Sequence, residues 1–133
     1  MLVIDTSVAA AWWFADEVTP ATDAVLERVV AEGAVVPALF PAEVANVLVQ
    51  AERRKRIASA LVDRVLGILS GLPIEVEAPL RAPGRALDLA RAHGLTVYDA
   101  MYLETAIRRA LPLATLDGDL TRAARAAGVA LVL

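Results

Sequence analysis

Residues 2–7 read Leu-Val-Ile-Asp-Thr-Ser, a short apolar run that ends in an acidic residue. The same pattern returns late in the chain, where the run Leu113-Ala114-Thr115-Leu116 precedes Asp117. Short apolar runs bounded by polar residues are typical of buried strands. In an open parallel sheet the C-terminal ends of the strands gather at one edge, where ligands usually bind. We therefore expect Asp5 and Asp117 to lie at the same edge of a sheet.

Strands and helices alternate along the rest of the chain. Apolar or alternating runs predict strands near residues 2–5, 35–36, 74–77, 113–116 and 129–133. Apolar periodicity with glycine or proline at the ends predicts helices near 7–14, 20–32, 58–70, 82–93, 97–110 and 119–127, and one from Pro41 to the basic run at 53–56. This alternation predicts an α/β fold, in which helices cover both faces of a parallel sheet.

Length and composition restrict the class of protein. A chain of 133 residues can bury one hydrophobic core, so we expect a single domain over residues 1–133. No apolar run of about 18 residues is present to cross a membrane. The N-terminus has no basic region, and Asp5 interrupts its apolar residues, which argues against a signal peptide. The absence of cysteine excludes disulfides and thiolate chemistry, and we expect a cytoplasmic protein.

Two further acids fall at predicted helix starts. Glu43 and Asp99 lie in first turns, so they are expected to join Asp5 and Asp117 at the ligand-binding edge. Four carboxylates gathered there would repel one another unless a cation sat among them. The sequence therefore predicts a site for divalent metal.

Each acid also has a structural interpretation. Asp5 begins an ordinary N-cap sequence, and Glu43 gains from the dipole of its helix whether or not it binds anything. Asp99 follows Thr96 at capping-box spacing, in an apolar context that is costly for an unpaired charge. Asp117 precedes a glycine and fits a turn. It is the joint placement of these acids that favours a binding site.

Asp119 stands close to the fourth acid. We expect it to cap the last helix and to lie outside the metal site, because Asp117 follows the strand directly. Either acid could nevertheless supply the fourth carboxylate.

The net charge of −3 is unusual for a protein that binds nucleic acid. Two bound divalent ions would change it to +1, so the net charge does not decide the matter. The densest basic run is Arg53-Arg54-Lys55-Arg56. Arg53 and Arg54 are candidates for contact with RNA phosphates, and complementing a helix C-terminus is the alternative role.

The chain resembles the PIN-domain proteins, and among them the VapC-type toxin ribonucleases, over essentially its whole length. The resemblance rests on Val3-Ile4-Asp5-Thr6-Ser7, Glu43-Val44-Ala45-Asn46, Tyr98-Asp99-Ala100-Met101-Tyr102 with Ala106, and Ala114-Thr115-Leu116-Asp117, in the order of the family. It implies a three-layer α/β/α sandwich with a five-stranded parallel sheet. It also implies an Mg²⁺- or Mn²⁺-dependent endoribonuclease that forms homodimers and is inhibited by a small cognate antitoxin.

The resemblance also assigns roles to residues. By position, Asp5 and Asp99 resemble the main metal ligands, and Glu43 and Asp117 complete the catalytic acidic pocket. The family often has a further acid near Asp119, so that residue is a candidate for a supporting role.

Three uncharged residues resemble supporting groups of the family. Thr6 and Thr115 match hydroxyl residues that accompany the acids, and Asn46 matches the supporting amide.

Other functions fit the sequence less well. A haloacid-dehalogenase-type phosphatase needs a second aspartate two residues after the first, but position 7 is serine. A response-regulator receiver needs a late lysine near its acids, and the only lysine is Lys55. A non-catalytic PIN-fold module that acts through a protein partner is the alternative from another class.

Overall fold

The computed structural model describes residues 1–133 and contains four strands and seven helices. The strands are β1 (Leu2–Ile4), β2 (Ala34–Val36), β3 (Ile74–Val76) and β4 (Leu113–Ala114). The helices are α1 (Thr6–Ala11), α2 (Pro20–Glu32), α3 (Phe40–Arg53), α4 (Ser59–Gly71), α5 (Gly84–His93), α6 (Val97–Arg109) and α7 (Gly118–Ala126). Every predicted helix is present. None of them is long and apolar enough to cross a membrane.

The four strands form one parallel sheet in the order β3-β2-β1-β4. β1 lies between β2 and β4, so that Val3 is opposite both Val35 and Leu113. All residues of these three strands are fully buried, which explains why their sequences are continuous apolar runs. The predicted α/β sandwich is confirmed, and the first strand delivers Asp5 to the C-terminal edge of the sheet.

The prediction of a fifth strand at residues 129–133 was wrong in detail. Only Leu131 forms a bridge with the sheet, parallel to Leu113. Two backbone hydrogen bonds hold the segment, from the Leu113 amide to the Ala130 carbonyl and from the Val132 amide to the Leu113 carbonyl. Since β4 itself has two residues, it offers too short a partner for a regular strand.

The hydrophobic core lies between the sheet and its covering helices. Tyr102 and Leu103 of α6 are among its largest fully buried side chains. Ala106 of α6 and Ala123 and Ala124 of α7 are also buried. Small side chains at these positions let the helices lie close to each other and to the strands.

Helix α3 presents two different faces. Its buried face consists of Phe40, Val44, Leu48 and Ala51, at the spacing of a helical stripe. Glu43, Asn46 and Gln50 form a polar stripe on another face of the helix, and the Gln50 amide donates to Asn46. The helix ends at Arg53. Packing of the apolar face therefore fixes the direction in which the polar stripe points.

Strand β3 is at one edge of the sheet and carries ion pairs with α6. Arg109 Nη1 lies 3.0 Å from Glu75 Oε1 and 2.9 Å from Glu77 Oε1. Arg108 pairs with Glu77 and, at 2.9 Å, with the buried Glu104. These contacts join the edge strand to the helix that also carries Asp99.

Candidate active site

The four predicted acids lie around one pocket of about 300 Å³. Its wall comes from α1, α3, α6 and the start of α7, and it consists of Asp5, Thr6, Ser7, Ala10, Glu43, Asn46, Val47, Asp99, Tyr102 and Asp117. A larger depression of about 820 Å³, formed by the end of α6 and residues 127–132, contains Arg28 and no acid. We therefore place the candidate site at the smaller pocket, where chemically active side chains converge.

Asp5 is the most buried of these acids, with 5% of its surface exposed. Ser7 Oγ donates to its Oδ1 at 2.5 Å, and Thr115 Oγ1 donates to its Oδ2 at 2.5 Å. The Val8 amide also donates to Oδ1, so Asp5 caps helix α1 as the N-cap interpretation predicted. A carboxylate can accept about four hydrogen bonds, so three donors orient it and leave acceptor capacity for a ligand.

Two backbone amides hold the hydroxyls that contact Asp5. The Leu116 amide donates to Ser7 Oγ at 2.9 Å, and the Asp117 amide donates to Thr115 Oγ1 at 3.0 Å. Each hydroxyl therefore accepts from the chain after β4 and directs its own proton to Asp5. This pair of relays joins the ends of β1 and β4 and fixes the orientation of the carboxylate.

Burial affects the protonation of Asp5 more than these donors do. Removal from water raises its pKa from the usual 3.8 to about 6. The hydrogen bonds from Ser7, Thr115 and Val8 lower the pKa, whereas the charge of Asp117 raises it further. Asp5 is thus a carboxylate that a nearby cation would stabilise.

Glu43 projects into the pocket from the first turn of α3. Its Oε1 accepts from the Tyr102 hydroxyl at 2.5 Å and from Thr6 Oγ1 at 3.1 Å. The two hydroxyls are themselves 3.0 Å apart. Burial, and then the hydrogen bond to Glu43, raise the pKa of Tyr102, so its hydroxyl stays a donor at neutral pH.

Asp99 lines the pocket and is half-buried. Its amide donates to Thr96 Oγ1 at 3.1 Å, which confirms Thr96 as the N-cap of α6. Burial raises the pKa of Asp99, and so do the nearby charges of Asp117, Glu43 and, least, Asp119. The apolar context expected from the sequence is only partial, because the neighbouring Tyr98 is 64% exposed.

Asp117, not Asp119, is the N-cap of the last helix, so that prediction was wrong. Asp117 Oδ2 accepts from the Leu120 amide at 2.8 Å, while the residue also lines the pocket. Asp119 is exposed, pairs with Arg122 at 2.8 Å, and does not line the pocket. The strand ends two residues earlier than predicted, at Ala114, and this moves the cap toward Asp117.

The pocket offers oxygen donors suited to Mg²⁺ or Mn²⁺, although no three of its acids are already close enough together to hold an ion. Mg²⁺ is commonly bound through one or two carboxylates, with water and substrate phosphate as the other ligands. A ready group of three carboxylates is therefore not required. Asp5, Glu43, Asp99 and Asp117 all contribute carboxylates to this wall. Asn46 also lines this wall.

Two polar residues of this pocket, Ser7 and Tyr102, were given no role from the sequence. Both stand in the motifs that carry the resemblance, but neither was a candidate site residue. Tyr102 lies three residues after Asp99, a spacing that puts both on the same face of a helix. Ser7 lies two residues after Asp5, within reach of its carboxylate. Both spacings were visible in the sequence.

The basic run 53–56 lies at the C-terminal end of α3, and only some of its side chains form ion pairs. Arg56 pairs with Asp16 at 2.8 Å and lies 3.9 Å above the ring of Phe14. Arg53 and Arg54 are exposed and form no ion pair. On a helical projection they continue the polar stripe of Glu43, Asn46 and Gln50.

A protein-family model described as the PIN domain matches residues 2–126. Among solved structures, PAE2754 from Pyrobaculum aerophilum is 24% identical, covers 92% of this chain and 83% of its own, and has a TM-score of 0.71. FitAB bound to the IR36 DNA fragment is 23% identical, and the match covers 98% of this chain and 93% of the FitAB chain, with a TM-score of 0.61. FitAcB from Neisseria gonorrhoeae is 21% identical, and the match covers 98% of this chain and 96% of the FitAcB chain, with a TM-score of 0.53.

These similarities show that the fold is shared with known structures. No curated protein matches the sequence.

Proposed function

The chain belongs to the PIN domain family, whose members are generally nucleases, and from this premise we propose that it is a metal-dependent endoribonuclease. The observation that carries the proposal is the convergence of Asp5, Glu43, Asp99 and Asp117 on one pocket that no basic side chain lines. Such a pocket suits a divalent cation and, through it, a phosphodiester. In this proposal residues 1–133 act as a single catalytic domain.

The reaction is hydrolysis of an RNA phosphodiester, which leaves a 5′-phosphate and a 3′-hydroxyl. When bound, Mg²⁺ or Mn²⁺ supplies a water of lowered pKa and neutralises charge on the phosphate. Asp5, oriented by Ser7 and Thr115, and Asp99 would hold the ion. Glu43 and Asp117 would orient water and complete the negative wall. No side-chain general base is needed.

The polar stripe of α3 gives RNA a path out of the pocket. Arg53 is ten residues after Glu43, so it lies about 15 Å farther along the helix axis. An RNA strand that enters the pocket with one phosphate would reach Arg53 and Arg54 with a phosphate a few nucleotides away. Phosphate contacts of this kind position the substrate without reading its sequence.

The proposed biological role is that of the toxin in a toxin–antitoxin pair, as a cytoplasmic homodimer. It rests on the resemblance to VapC-type ribonucleases. A cognate antitoxin could inhibit by inserting a basic side chain among the four acids, where it would compete with metal.

A non-catalytic module that acts through a protein partner is the second candidate. It shares the fold and would keep the pocket without cleaving RNA. The two candidates differ in one measurable property, which is metal-dependent RNA cleavage by the isolated protein.

The deciding experiment is cleavage of end-labelled RNA by purified protein with Mg²⁺, with Mn²⁺ or with chelator. Asp99→Asn keeps the shape of the side chain and removes its charge. The matched control is Asp63→Asn, which makes the same change at an exposed position of α4. We expect metal-dependent cleavage that Asp99→Asn reduces by about 100-fold and Asp63→Asn leaves unchanged.

Two results would count against the proposal. Cleavage that persists in chelator, or in Asp99→Asn, would point to another nuclease in the preparation. A folded protein that cleaves no RNA from a complex pool under any metal condition would favour the binding module.

A further inference from the structure

Tyr102 connects the hydrophobic core with the acidic pocket. Its side chain is 1% exposed and belongs to the main core cluster, where it packs with residues of the sheet and α6. Its hydroxyl nevertheless reaches the pocket wall. A tyrosine with its ring in the core and its hydroxyl in a polar site has little freedom to move.

The hydroxyl contacts two other helices. It donates to Glu43 Oε1 of α3 at 2.5 Å and lies 3.0 Å from Thr6 Oγ1 of α1. Thr6 Oγ1 donates to the same Glu43 oxygen at 3.1 Å. Both protein donors therefore contact Oε1, and no protein group donates to Oε2.

This asymmetry affects how Glu43 can bind a ligand. A glutamate side chain has several staggered rotamers, which carry its carboxylate in different directions. Two donors on one oxygen select a single rotamer and leave the other oxygen with its full acceptor capacity.

We propose that Tyr102 is a positioning residue, which holds Glu43 by one carboxylate oxygen and leaves the other free for a divalent cation or its water. This inference rests on the proposed function, since it assumes that the pocket binds metal. Tyr102 itself would not touch the ion or the RNA. Partners that orient ligating groups in this way typically contribute 10- to 100-fold to metal affinity or activity.

The test is a double-mutant cycle measured by Mn²⁺ binding. Tyr102→Phe removes one oxygen and keeps the buried ring, and Glu43→Gln removes the charge that Tyr102 is proposed to orient. Tyr98→Phe is the matched control, because Tyr98 is exposed and forms no side-chain hydrogen bond. Binding is measured by calorimetry on each folded variant, and RNA cleavage is followed in parallel.

We expect Tyr102→Phe to weaken Mn²⁺ binding about 10-fold and to raise the Mn²⁺ concentration needed for half-maximal cleavage by a similar factor. Tyr98→Phe should change neither. In the Glu43→Gln background, Tyr102→Phe should have no further effect, because its target is already lost. A general packing defect would weaken binding equally in both backgrounds.

Unchanged Mn²⁺ affinity in Tyr102→Phe, or an equal loss in both backgrounds, would overturn the inference and leave the nuclease proposal intact. A wild-type protein that neither binds Mn²⁺ nor cleaves RNA would refute the proposed function first, and this inference with it. Should Tyr102→Phe fail to fold, the cycle runs through Thr6→Val, which removes the second donor to the same oxygen. A smaller loss in the same direction is then expected, and no loss would overturn the inference.

Discussion

At the scale of single residues, Asp5 shows the conflict between stability and a binding site. The fold buries its carboxylate at the end of the central strand, and burial raises its pKa to about 6. Three donors offset only part of that cost. A shift from 3.8 to about 6 corresponds to a penalty of about 3 kcal/mol for the charged form.

The first prediction concerns the pH dependence of stability without metal. Because the pKa of Asp5 is higher in the folded than in the unfolded protein, the folded state binds more protons between pH 3.8 and about 6. The contribution of Asp5 to the free energy of unfolding should therefore fall as pH rises through this window and stay low above it. Asp5→Asn should raise the free energy of unfolding at pH 7 by about 1–2 kcal/mol.

Denaturant unfolding at several pH values, with chelator present, measures both effects. The difference between wild type and Asp5→Asn should be largest above pH 6 and should shrink toward pH 4. A variant less stable than wild type at pH 7 would show that the amide cannot replace the carboxylate among its donors.

The sequence predicted the positions of the four acids better than it predicted their hydrogen-bond partners. Asp5, Glu43, Asp99 and Asp117 do line one pocket, because strand and helix ends determine where they lie. The contacts of Ser7 and Tyr102 depend on side-chain rotamers and on how deeply α6 packs. Neither the rotamers nor the packing depth can be predicted from the local sequence. Asp119 was wrongly predicted to cap the last helix, because the predicted strand was two residues too long.

At the scale of elements, Asp117 has a structural role and a proposed catalytic one. It caps α7 through Oδ2 and lines the pocket. The second prediction separates these roles. Asp117→Asn keeps a good cap and should change stability little, while it lowers RNA cleavage at least 10-fold. Asp117→Ala should lose cleavage and also about 1 kcal/mol of stability.

Cleavage rates and thermal unfolding of both variants check this prediction, with Asp119→Asn as the matched control outside the pocket. If Asp119→Asn lost cleavage and Asp117→Asn kept it, the assignment of the fourth acid would be reversed.

The third prediction concerns the basic end of α3. Arg53→Gln with Arg54→Gln should weaken binding of single-stranded RNA at any sequence and reduce the slope of log affinity against log salt by about 1.4. Arg85→Gln with Arg91→Gln removes the same charge from α5, which does not line the pocket. Binding is measured by salt titration in Ca²⁺ to prevent cleavage. An equal change in the two double variants would mean that only net charge matters.

Element prediction from the sequence was limited at short strands. α2 spans the predicted residues 20–32 and ends at Gly33, the predicted C-cap, while the structure adds Thr19 as its N-cap. The segment 129–133 is as apolar as β1, yet it pairs at one residue. Strand formation depends on the length of the neighbour, and the two-residue β4 was not foreseeable from local pattern.

At the scale of the whole molecule, the proposed metal site should couple to global stability. A ligand that binds only the folded state adds about 2.7 kcal/mol at one hundred times its dissociation constant. The fourth prediction is that Mn²⁺ at that concentration raises the melting temperature of the wild type by roughly 10 °C, and that chelator reverses the rise.

In chelator, Asp5→Asn should have a higher melting temperature than the wild type. Because the melting temperature of Asp5→Asn should respond little to Mn²⁺, the difference between the two proteins should shrink or change sign when Mn²⁺ is added. Asp63→Asn should follow the wild type in both conditions. Calorimetric scans at fixed pH give the melting temperatures of the three proteins in both conditions. A similar Mn²⁺ response in Asp5→Asn would place the ion elsewhere.

The overall architecture was the most predictable level, because alternation of strands and helices leaves few arrangements for a parallel sheet. The strand order β3-β2-β1-β4 cannot be predicted from any single segment of the sequence. It depends on whether each crossover connection places the next strand on one side or the other of the strands already in the sheet. Net charge gave no guidance about function, because four of the 16 acidic residues line one pocket while the unpaired Arg53 and Arg54 lie at the end of α3.

The ion pairs of β3 bear on how the protein behaves at high concentration. An unpaired sheet edge is a template for strands of other chains and hence for aggregation. Here Glu75 of β3 and Glu77, which directly follows the strand, form ion pairs with Arg109 and Arg108 of α6. The hydrogen bond from Arg108 lowers the pKa of Glu77, so the charge of Glu77 persists when the medium turns acidic. The edge should therefore resist intermolecular β-pairing, even as the protein approaches its isoelectric point and general repulsion between molecules disappears.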